Sequence, residues 1–324
     1  MDTAKLQQLV TADTSLLSAR DEEGMTPLHL AAISGNTAAL SLLLAQCDPA
    51  TLDTPDTSGH TALHWAAVCG QLGCAQLLLG AGADPDTRDP GGGAALHYAA
   101  QADHAALVAA LVEGGADPGL RDSAGRTPEM WAACAGAEHT FLALGSGDTR
   151  DLQSLSPLHC AAALGHHHIV TRCVERGLYR VNTADSDGAP PLFYAARHGH
   201  VACVKELIRL GADLNTCDTL GRTAAMCGVV SGRVAVVRLL AGAGARLDPD
   251  TRGGDTCLHL AAARGDAAMA AWLVGACPGL AGAAGREGVT ALHLAADRDS
   301  VAVCRLLLEA GCGANPVTRQ TRGR

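Results

Sequence analysis

A seven-residue pattern that returns nine times along the chain constrains the fold more than any other feature. The first copy, Thr26–Ala32, reads TPLHLAA, and the last copy, Thr290–Ala296, reads TALHLAA. Successive copies are separated by 35, 33, 33, 29, 34, 33, 33 and 34 residues. A period this regular predicts an array of stacked repeats, because one short unit alone cannot bury its apolar face. We number the repeats one to nine by the first residues of these copies, which are Thr26, Thr61, Ala94, Thr127, Ser156, Pro190, Thr223, Thr256 and Thr290.

Each repeat predicts a turn, a helix, a second turn and a second helix. In repeat one, Asp21 and the glycine three residues later have the chemistry of a tight turn. Thr26 suits the position before a helix, where its hydroxyl accepts a backbone N–H, and Pro27 suits the first helical position. Gly35 suits a helix end in the left-handed conformation, and the apolar run Leu40–Leu44 predicts the second helix. The predicted fold class is therefore all-α.

The motif and its period resemble the ankyrin repeat, and the resemblance covers almost the whole chain. It implies an all-α ankyrin-repeat solenoid of stacked helix-turn-helix units with protruding turns. On this resemblance we expect an N-terminal capping half-repeat over residues 1–20, nine ankyrin repeats over 21–317 and a flexible basic tail over 318–324.

Repeat four departs most from the pattern. It occupies about residues 122–150 and is short and irregular, with Glu129 and Met130 in place of the usual Leu-His pair. Repeats two to four contain the runs LHWAAVCG, LHYAAQADH and GRTPEMWAACAG. These runs are similar to the middle of the inversin-type ankyrin array, which belongs to a ciliary scaffold.

The composition excludes some classes of protein and indicates the cellular compartment. A formal net charge of -9 argues against non-specific nucleic-acid binding. The thirteen cysteines form no CxxC pair and fall mostly in apolar helices, which favours reduced thiols inside a cell. The uncharged run 267–285 has the length of a membrane span, but it contains Pro278 and keeps the repeat register, so we interpret it as a repeat. We expect a soluble cytoplasmic protein without membrane insertion, with the nucleus or a cilium as alternatives.

The histidines recur at a repeat position and do not predict a reactive site. A residue that returns about every 33 positions is typical of a structural hydrogen bond, and His166–His168 offers only adjacent side chains to a metal. The chain has no Gly-x-Ser-x-Gly motif, phosphate-binding loop or paired carboxylates in a strand-helix context. We therefore expect no enzyme activity, no cofactor and no metal. The six recurring histidines are His29, His64, His97, His159, His259 and His293.

Four aromatic residues share one position in the first helix, immediately before the Ala-Ala pair. They are Trp65, Tyr98, Trp131 and Tyr194. Two interpretations are open. The rings pack between neighbouring first helices, with partners for their N–H and O–H groups, or they form an aromatic platform for a peptide partner.

The ankyrin resemblance implies that partners bind at the turn tips and the adjacent concave face of the first helices. In repeats four and five these positions are mostly apolar, with Leu152, Leu155 and Leu164 alongside Arg126, and such a surface favours a partner contact. Repeats six to nine are enriched in arginine, which favours an acidic partner segment held by charge-assisted hydrogen bonds. The alternative is a mixed-charge surface exposed to water. The basic residues at these positions are Arg197, His198, Arg222, Arg252, Arg264, Arg286 and Arg298.

These observations predict a non-enzymatic scaffold or adaptor that binds another protein through its concave face and turn tips. The alternative is that the array is the targeting or regulatory segment of a larger protein, such as an enzyme, a channel or a ciliary scaffold. The two differ in whether further domains are joined to the repeats.

Overall fold

The computed structural model describes residues 14–145 and 149–312, and these residues contain eighteen α-helices in nine pairs. Apart from one isolated bridge between Ala284 and Thr290, the described residues form no β-structure. The prediction of an all-α helix-turn-helix array is confirmed. In chain order the helices are α1 Pro27–Ser34, α2 Thr37–Leu44, α3 Ala62–Val68, α4 Leu72–Gly80, α5 Ala95–Gln101, α6 Ala105–Glu113, α7 Pro128–Ala135, α8 Glu138–Leu144, α9 Pro157–Leu164, α10 His167–Glu175, α11 Pro191–His198, α12 Val201–Arg209, α13 Ala224–Val230, α14 Val234–Gly242, α15 Cys257–Arg264, α16 Ala267–Ala276, α17 Ala291–Asp297 and α18 Val301–Glu309.

The chain divides into two compact units, Met1–Pro157 and Leu158–Arg324. In the first unit, the first helices α1, α3, α5 and α7 pack in succession, and the second helices α2, α4, α6 and α8 form a layer against them. In the second unit, α11, α13, α15 and α17 pack in succession in the same way. Each unit is thus a two-layer stack whose apolar faces are covered by the next repeat.

The first helices begin as the sequence predicts. In repeat two, Thr61 precedes α3 in an extended conformation, and its side chain and backbone N both bond to His64 Nδ1, at 2.9 and 3.1 Å. The helix of repeat one ends at Gly35, with a φ of 68°. The alanine pair Ala66 and Ala67 is fully buried, which lets neighbouring first helices approach closely.

The motif histidine links five of the repeats to the repeat that follows. Because His64 Nδ1 accepts the Thr61 backbone N–H, the ring proton lies on Nε2, which donates to the Gly93 carbonyl at 3.2 Å. The predicted structural hydrogen bond is therefore confirmed. The same link joins His29 to the His60 carbonyl, His97 to the Arg126 carbonyl, His159 to the Ala189 carbonyl and His259 to the Val289 carbonyl.

Repeats four, six and seven have an apolar residue at this position. Met130, Phe193 and Met226 occupy it, and all three side chains are buried. A thioether or phenyl ring fills the space by packing but donates no hydrogen bond to the next repeat. Repeat four nevertheless forms both of its helices, α7 and α8, in spite of its shortened sequence.

Several predicted segments lie at or beyond the edge of the described residues. Of the capping half-repeat 1–20, residues 14–20 are described, and Thr14–Ser18 form a short 3-10 helix. The tail 318–324 lies outside the described residues, so both assignments stay predictions. The uncharged run 267–285 forms α16 and then a 3-10 turn at Pro278–Leu280. Between residues 14 and 312, where described, no helix is both long and apolar enough to cross a membrane.

Acidification should destabilise this fold at mildly acidic pH. Burial lowers the pKa of His29, His64, His97 and His259 below the ordinary value of 6.5. Between the lowered pKa and 6.5 the unfolded chain binds more protons than the folded chain, so stability is complete above 6.5 and falls as the pH decreases through it. We expect the urea midpoint to fall between about pH 7.5 and about pH 5.5, above the range in which carboxylates titrate.

Two variants separate these imidazoles from the other histidines. His97→Gln should remove part of the pH dependence, because it removes one of the buried rings. His167→Gln, at an exposed side chain, should keep all of it. A urea midpoint that does not change over this interval in the unmodified chain contradicts the prediction.

Candidate partner-binding surface

An aspartate side chain shapes the protruding turn of most repeats. In repeat four, Asp122 Oδ1 accepts the backbone N–H groups of Ala124 and Arg126 at 2.9 and 2.8 Å. This pairing fixes the turn because it satisfies donors that have no helical or sheet partner. The same pair of bonds forms at Asp21, Asp56, Asp151, Asp185 and Asp218.

Neighbouring turn tips are joined by backbone hydrogen bonds. In the first unit, the Ser123 N–H donates to the Gly91 carbonyl at 2.9 Å. In the second unit, the Thr219 N–H donates to the Asp187 carbonyl at 2.8 Å. The tips therefore present their side chains from a fixed backbone, which lowers the entropy lost when a partner binds.

The second carboxylate oxygen ties the turn to the aromatic residue nine positions later. Trp131 Nε1 donates to Asp122 Oδ2 at 2.9 Å, and the Tyr194 hydroxyl donates to Asp185 Oδ2 at 2.5 Å. Sequence reasoning missed this link, although the spacing of nine residues between aspartate and aromatic is visible in four repeats. The two other pairs are Trp65 with Asp56 and Tyr98 with Asp89.

These bonds shift the pKa of the Asp122 carboxyl and that of the Tyr194 phenol. Burial alone would raise the pKa of the Asp122 carboxyl, but hydrogen bonds from Arg126 and Trp131 hold that pKa below its usual range. Burial and the bond to Asp185 raise the pKa of the Tyr194 phenol well above its ordinary value. At neutral pH the Asp122 carboxylate is therefore charged, and the Tyr194 phenol keeps the proton that it donates.

In the first unit the aromatic rings contact one another. His60 lies edge-on to Trp65 and Tyr98, with ring centroids 5.5 and 5.4 Å apart. Tyr98 and Trp131 are 5.3 Å apart, and the Arg126 guanidinium lies 5.4 Å from the Trp131 ring. The packing interpretation of the stripe is confirmed for these rings. A role for them in a partner site stays a prediction.

The apolar residues predicted for repeats four and five differ in exposure. Leu152 is 77% exposed at a turn tip, and Leu155 is half-buried. Leu164, near the end of α9 in the second unit, is 51% exposed. Arg126 is engaged, because its Nε donates to Asp122 Oδ2 at 2.8 Å.

The basic residues predicted for repeats six to nine fall into two groups. Arg222 pairs with Asp218 Oδ2 at 2.7 Å, and Arg264 donates to the Val230 carbonyl at 2.6 Å. Both side chains therefore stabilise the fold. The others are exposed, and none of the described residues forms an ion pair with their side chains. They are Arg197, His198, Arg252, Arg286 and Arg298. His198 stacks on His200, with ring centroids 6.2 Å apart.

A pocket of about 190 Å³ lies in the second unit between α11 and α13. Tyr194 and Arg197 of repeat six form one side, and Cys227 and Val230 of repeat seven form the other. Arg222 also lines the pocket, from the turn that precedes α13. The structure thus brings together two of the predicted arginines with one of the predicted stripe residues.

Burial keeps several thiols among the described residues protonated. Burial raises the pKa of Cys227 to about 11 and that of Cys203 and Cys257 to about 12, so these thiols are protonated at neutral pH. In the described part of the chain, none of the thirteen cysteines forms a disulfide. Within the described residues no group of three or more His, Cys, Asp and Glu side chains could hold a metal ion.

Comparison with known proteins matches the repeats along almost the whole length. The family model for ankyrin repeats (3 copies) matches residues 2–89, 81–150, 139–218, 158–251 and 245–320.

Each of the following three relatives matches a short stretch of this chain. The ankyrin repeat and LEM domain-containing protein 1 homolog of Caenorhabditis elegans is 51% identical over 51 residues, which is 16% of this chain and 7% of that protein. The probable E3 ubiquitin-protein ligase XBOS33 of Oryza sativa subsp. japonica is 44% identical over 70 residues, 21% of this chain and 13% of that protein. The transient receptor potential cation channel subfamily A member 1 of Drosophila melanogaster is 38% identical over 72 residues, 22% of this chain and 6% of that protein. The chain thus spans a small part of each relative, and the likeness of repeats two to four to the inversin array stays a prediction.

Removing a turn aspartate should cost more stability where an aromatic residue bonds to it. Asp122→Ala deletes the acceptor of two backbone N–H groups, the Trp131 indole and Arg126, and we expect a loss of about 3 kcal/mol in the free energy of unfolding. Asp21→Ala is the control, since Asp21 is exposed and has Leu30 at the aromatic position; about 1 kcal/mol is expected there. Urea unfolding of the two variants measures the difference, and equal losses contradict the role of the aromatic link.

Proposed function

The chain belongs to the ankyrin-repeat family, and we propose that it is a non-enzymatic scaffold or adaptor that binds a partner protein. The binding surface consists of the turn tips and the adjoining side chains of the first helices. Membership of the ankyrin-repeat family supports protein binding as the general activity of the chain. The particular surface and the chemistry of the partner are our proposal.

The observation that carries the proposal is a set of exposed arginines without ion pairs to other described residues. Arg252 and Arg286 lie in protruding turns, and Arg197 and Arg298 lie at the ends of first helices. A guanidinium that has no internal partner is available for a bidentate bond to a carboxylate of another molecule. An acidic segment is therefore the partner chemistry that we propose for the second unit.

A second candidate function follows from the relatives. They are named as a probable ubiquitin ligase, a LEM domain-containing protein and a cation channel, and the matched stretch is 6 to 13% of their length. Repeats of this kind thus occur as one part of larger proteins. We propose as the alternative that this array targets or regulates a longer chain. An immunoblot of the natural source with antibodies to the repeats separates the two, because a scaffold of 324 residues and a larger protein migrate differently.

We propose the cytoplasm as the compartment, with the nucleus or a cilium as alternatives. Thirteen cysteines without a disulfide among the described residues support a reducing environment. Imaging of the tagged chain in cells, with membrane, nuclear and ciliary markers, tests this part of the proposal.

Charge reversal on the exposed arginines should abolish partner binding. The triple variant Arg197→Glu, Arg252→Glu, Arg298→Glu leaves Arg222 and Arg264 unchanged, because these two hold the fold. We expect recovery of the partner by affinity purification and quantitative mass spectrometry to fall about tenfold or more, since each reversal turns an attraction to carboxylate into a repulsion.

The matched control changes the charge by the same amount at three basic residues that lie in a second helix or directly after one. It is Arg176→Glu, Lys205→Glu, Arg305→Glu, in which all three side chains are exposed. Partner recovery should stay unchanged in this variant. Equal recovery from the test variant and the control would overturn the proposed arginine surface.

A further inference from the structure

We infer that the pocket between α11 and α13 receives one aromatic side chain of the partner protein. The inference rests on the proposed function and deepens it, because it assigns the partner an anchor residue and a place where the anchor binds.

Repeats four and seven support this inference, because both have the same aspartate–arginine pair in the turn but a different residue nine positions after the aspartate. In repeat four, Arg126 pairs with Asp122 at 2.8 Å between Nε and Oδ2. In repeat seven, Arg222 pairs with Asp218 in the same way at 2.7 Å. Nine residues after the aspartate, repeat four has the indole of Trp131, whereas repeat seven has the small thiol of Cys227.

The walls of the pocket are the groups that surround an aromatic ring elsewhere in the chain. The Trp131 ring lies 5.3 Å from Tyr98, which is the stripe residue of the preceding repeat, and 5.4 Å from Arg126. The corresponding residues around Cys227 are Tyr194 and Arg222, and both line the pocket. The cavity therefore lies where repeat four holds its own ring.

The size of the pocket fits one side chain. Its volume of about 190 Å³ is below the range of about 300–1,000 Å³ that is usual for cofactor and small-molecule sites. The pocket also lies beside the exposed Arg197, so that a chain entering it runs over the surface proposed for the partner.

The chemistry of the walls favours an aromatic anchor over an aliphatic one. Two guanidinium groups, those of Arg197 and Arg222, line the pocket, and a cation is attracted to the face of an aromatic ring but not to a methyl group. The Asp185 carboxylate, which also lines the pocket, already accepts the Tyr194 hydroxyl and two backbone N–H groups. The Tyr194 ring offers an edge or a face to a second ring.

A peptide selection on the full chain tests the inference. Random peptides displayed on phage are selected for binding to the unmodified chain, and the enriched peptides are synthesised and titrated. We expect them to share one Trp, Tyr or Phe position, because a buried aromatic anchor dominates the energy of such contacts. Peptides that bind through a shared aliphatic residue, or that share no position, would overturn the inference.

A variant that fills the pocket with a side chain of the protein itself tests whether the pocket is the binding site. Cys227→Trp places an indole where repeat four has Trp131, and the affinity for the selected peptides should fall about tenfold or more. Leu30→Trp is the matched control, since Leu30 holds the same position in repeat one and is 52% exposed. Its affinity should equal that of the unmodified chain. Urea unfolding shows whether Cys227→Trp is folded before its binding is compared.

A thiol-protection measurement on the unmodified chain makes the test independent of that variant. A bound peptide should slow the modification of Cys227 by methyl methanethiosulfonate. The rate at which the exposed Cys217 is modified should not change, and peptide mass spectrometry measures both rates. Binding that survives Cys227→Trp and leaves Cys227 unprotected would overturn the inference but not the proposed function. A library that yields no binder to the chain would count against both.

Discussion

Every helix in the described part of the chain has ten residues or fewer, and helices this short do not persist alone in water. The fold therefore depends on contacts between adjacent repeats. Fully buried alanines bring the first helices together, and a neutral imidazole such as that of His64 reaches across to a carbonyl of the next repeat. Because each of these contacts joins a repeat only to its neighbour, stability accumulates along the stack and does not come from one central core.

The turn aspartate performs two tasks with its two oxygen atoms. One oxygen closes the protruding turn on backbone amides, and the other holds the aromatic ring of the following helix, as in Asp122 and Trp131. Turn and helix are thereby fixed relative to each other, so the variable side chains at the tips stand on a rigid support. An exposed tip residue such as Leu152 can therefore change without a change in the core.

The repeated features were predictable from the sequence, because each is a local rule that applies in most of the repeats. Thr61 and Gly35 mark helix ends by their own chemistry, and the recurrence of His64 indicated a structural bond. The departures were not predictable in the same way. Arg222 looked available for a partner, but only its distance to Asp218 shows that it is paired. The pocket beside Cys227 was missed because it arises from an absent ring, which no motif marks. The division into two units depends on the sum of many contacts, and no single residue signals it.

The substitution of the motif histidine by Phe193 and Met226 has a mechanical consequence for the pocket that lies between their repeats. When a buried imidazole–carbonyl hydrogen bond breaks, a polar group is left unsatisfied, and the whole free energy of the bond is lost at once. Sliding a phenyl or thioether contact by a fraction of an ångström loses dispersion energy gradually. The interface between repeats six and seven lacks the bond that His64 forms between repeats two and three, and we expect it to be more compliant for that reason. A compliant wall adapts to rings of different size, so this pocket can accept tryptophan, tyrosine or phenylalanine from different partners at similar cost.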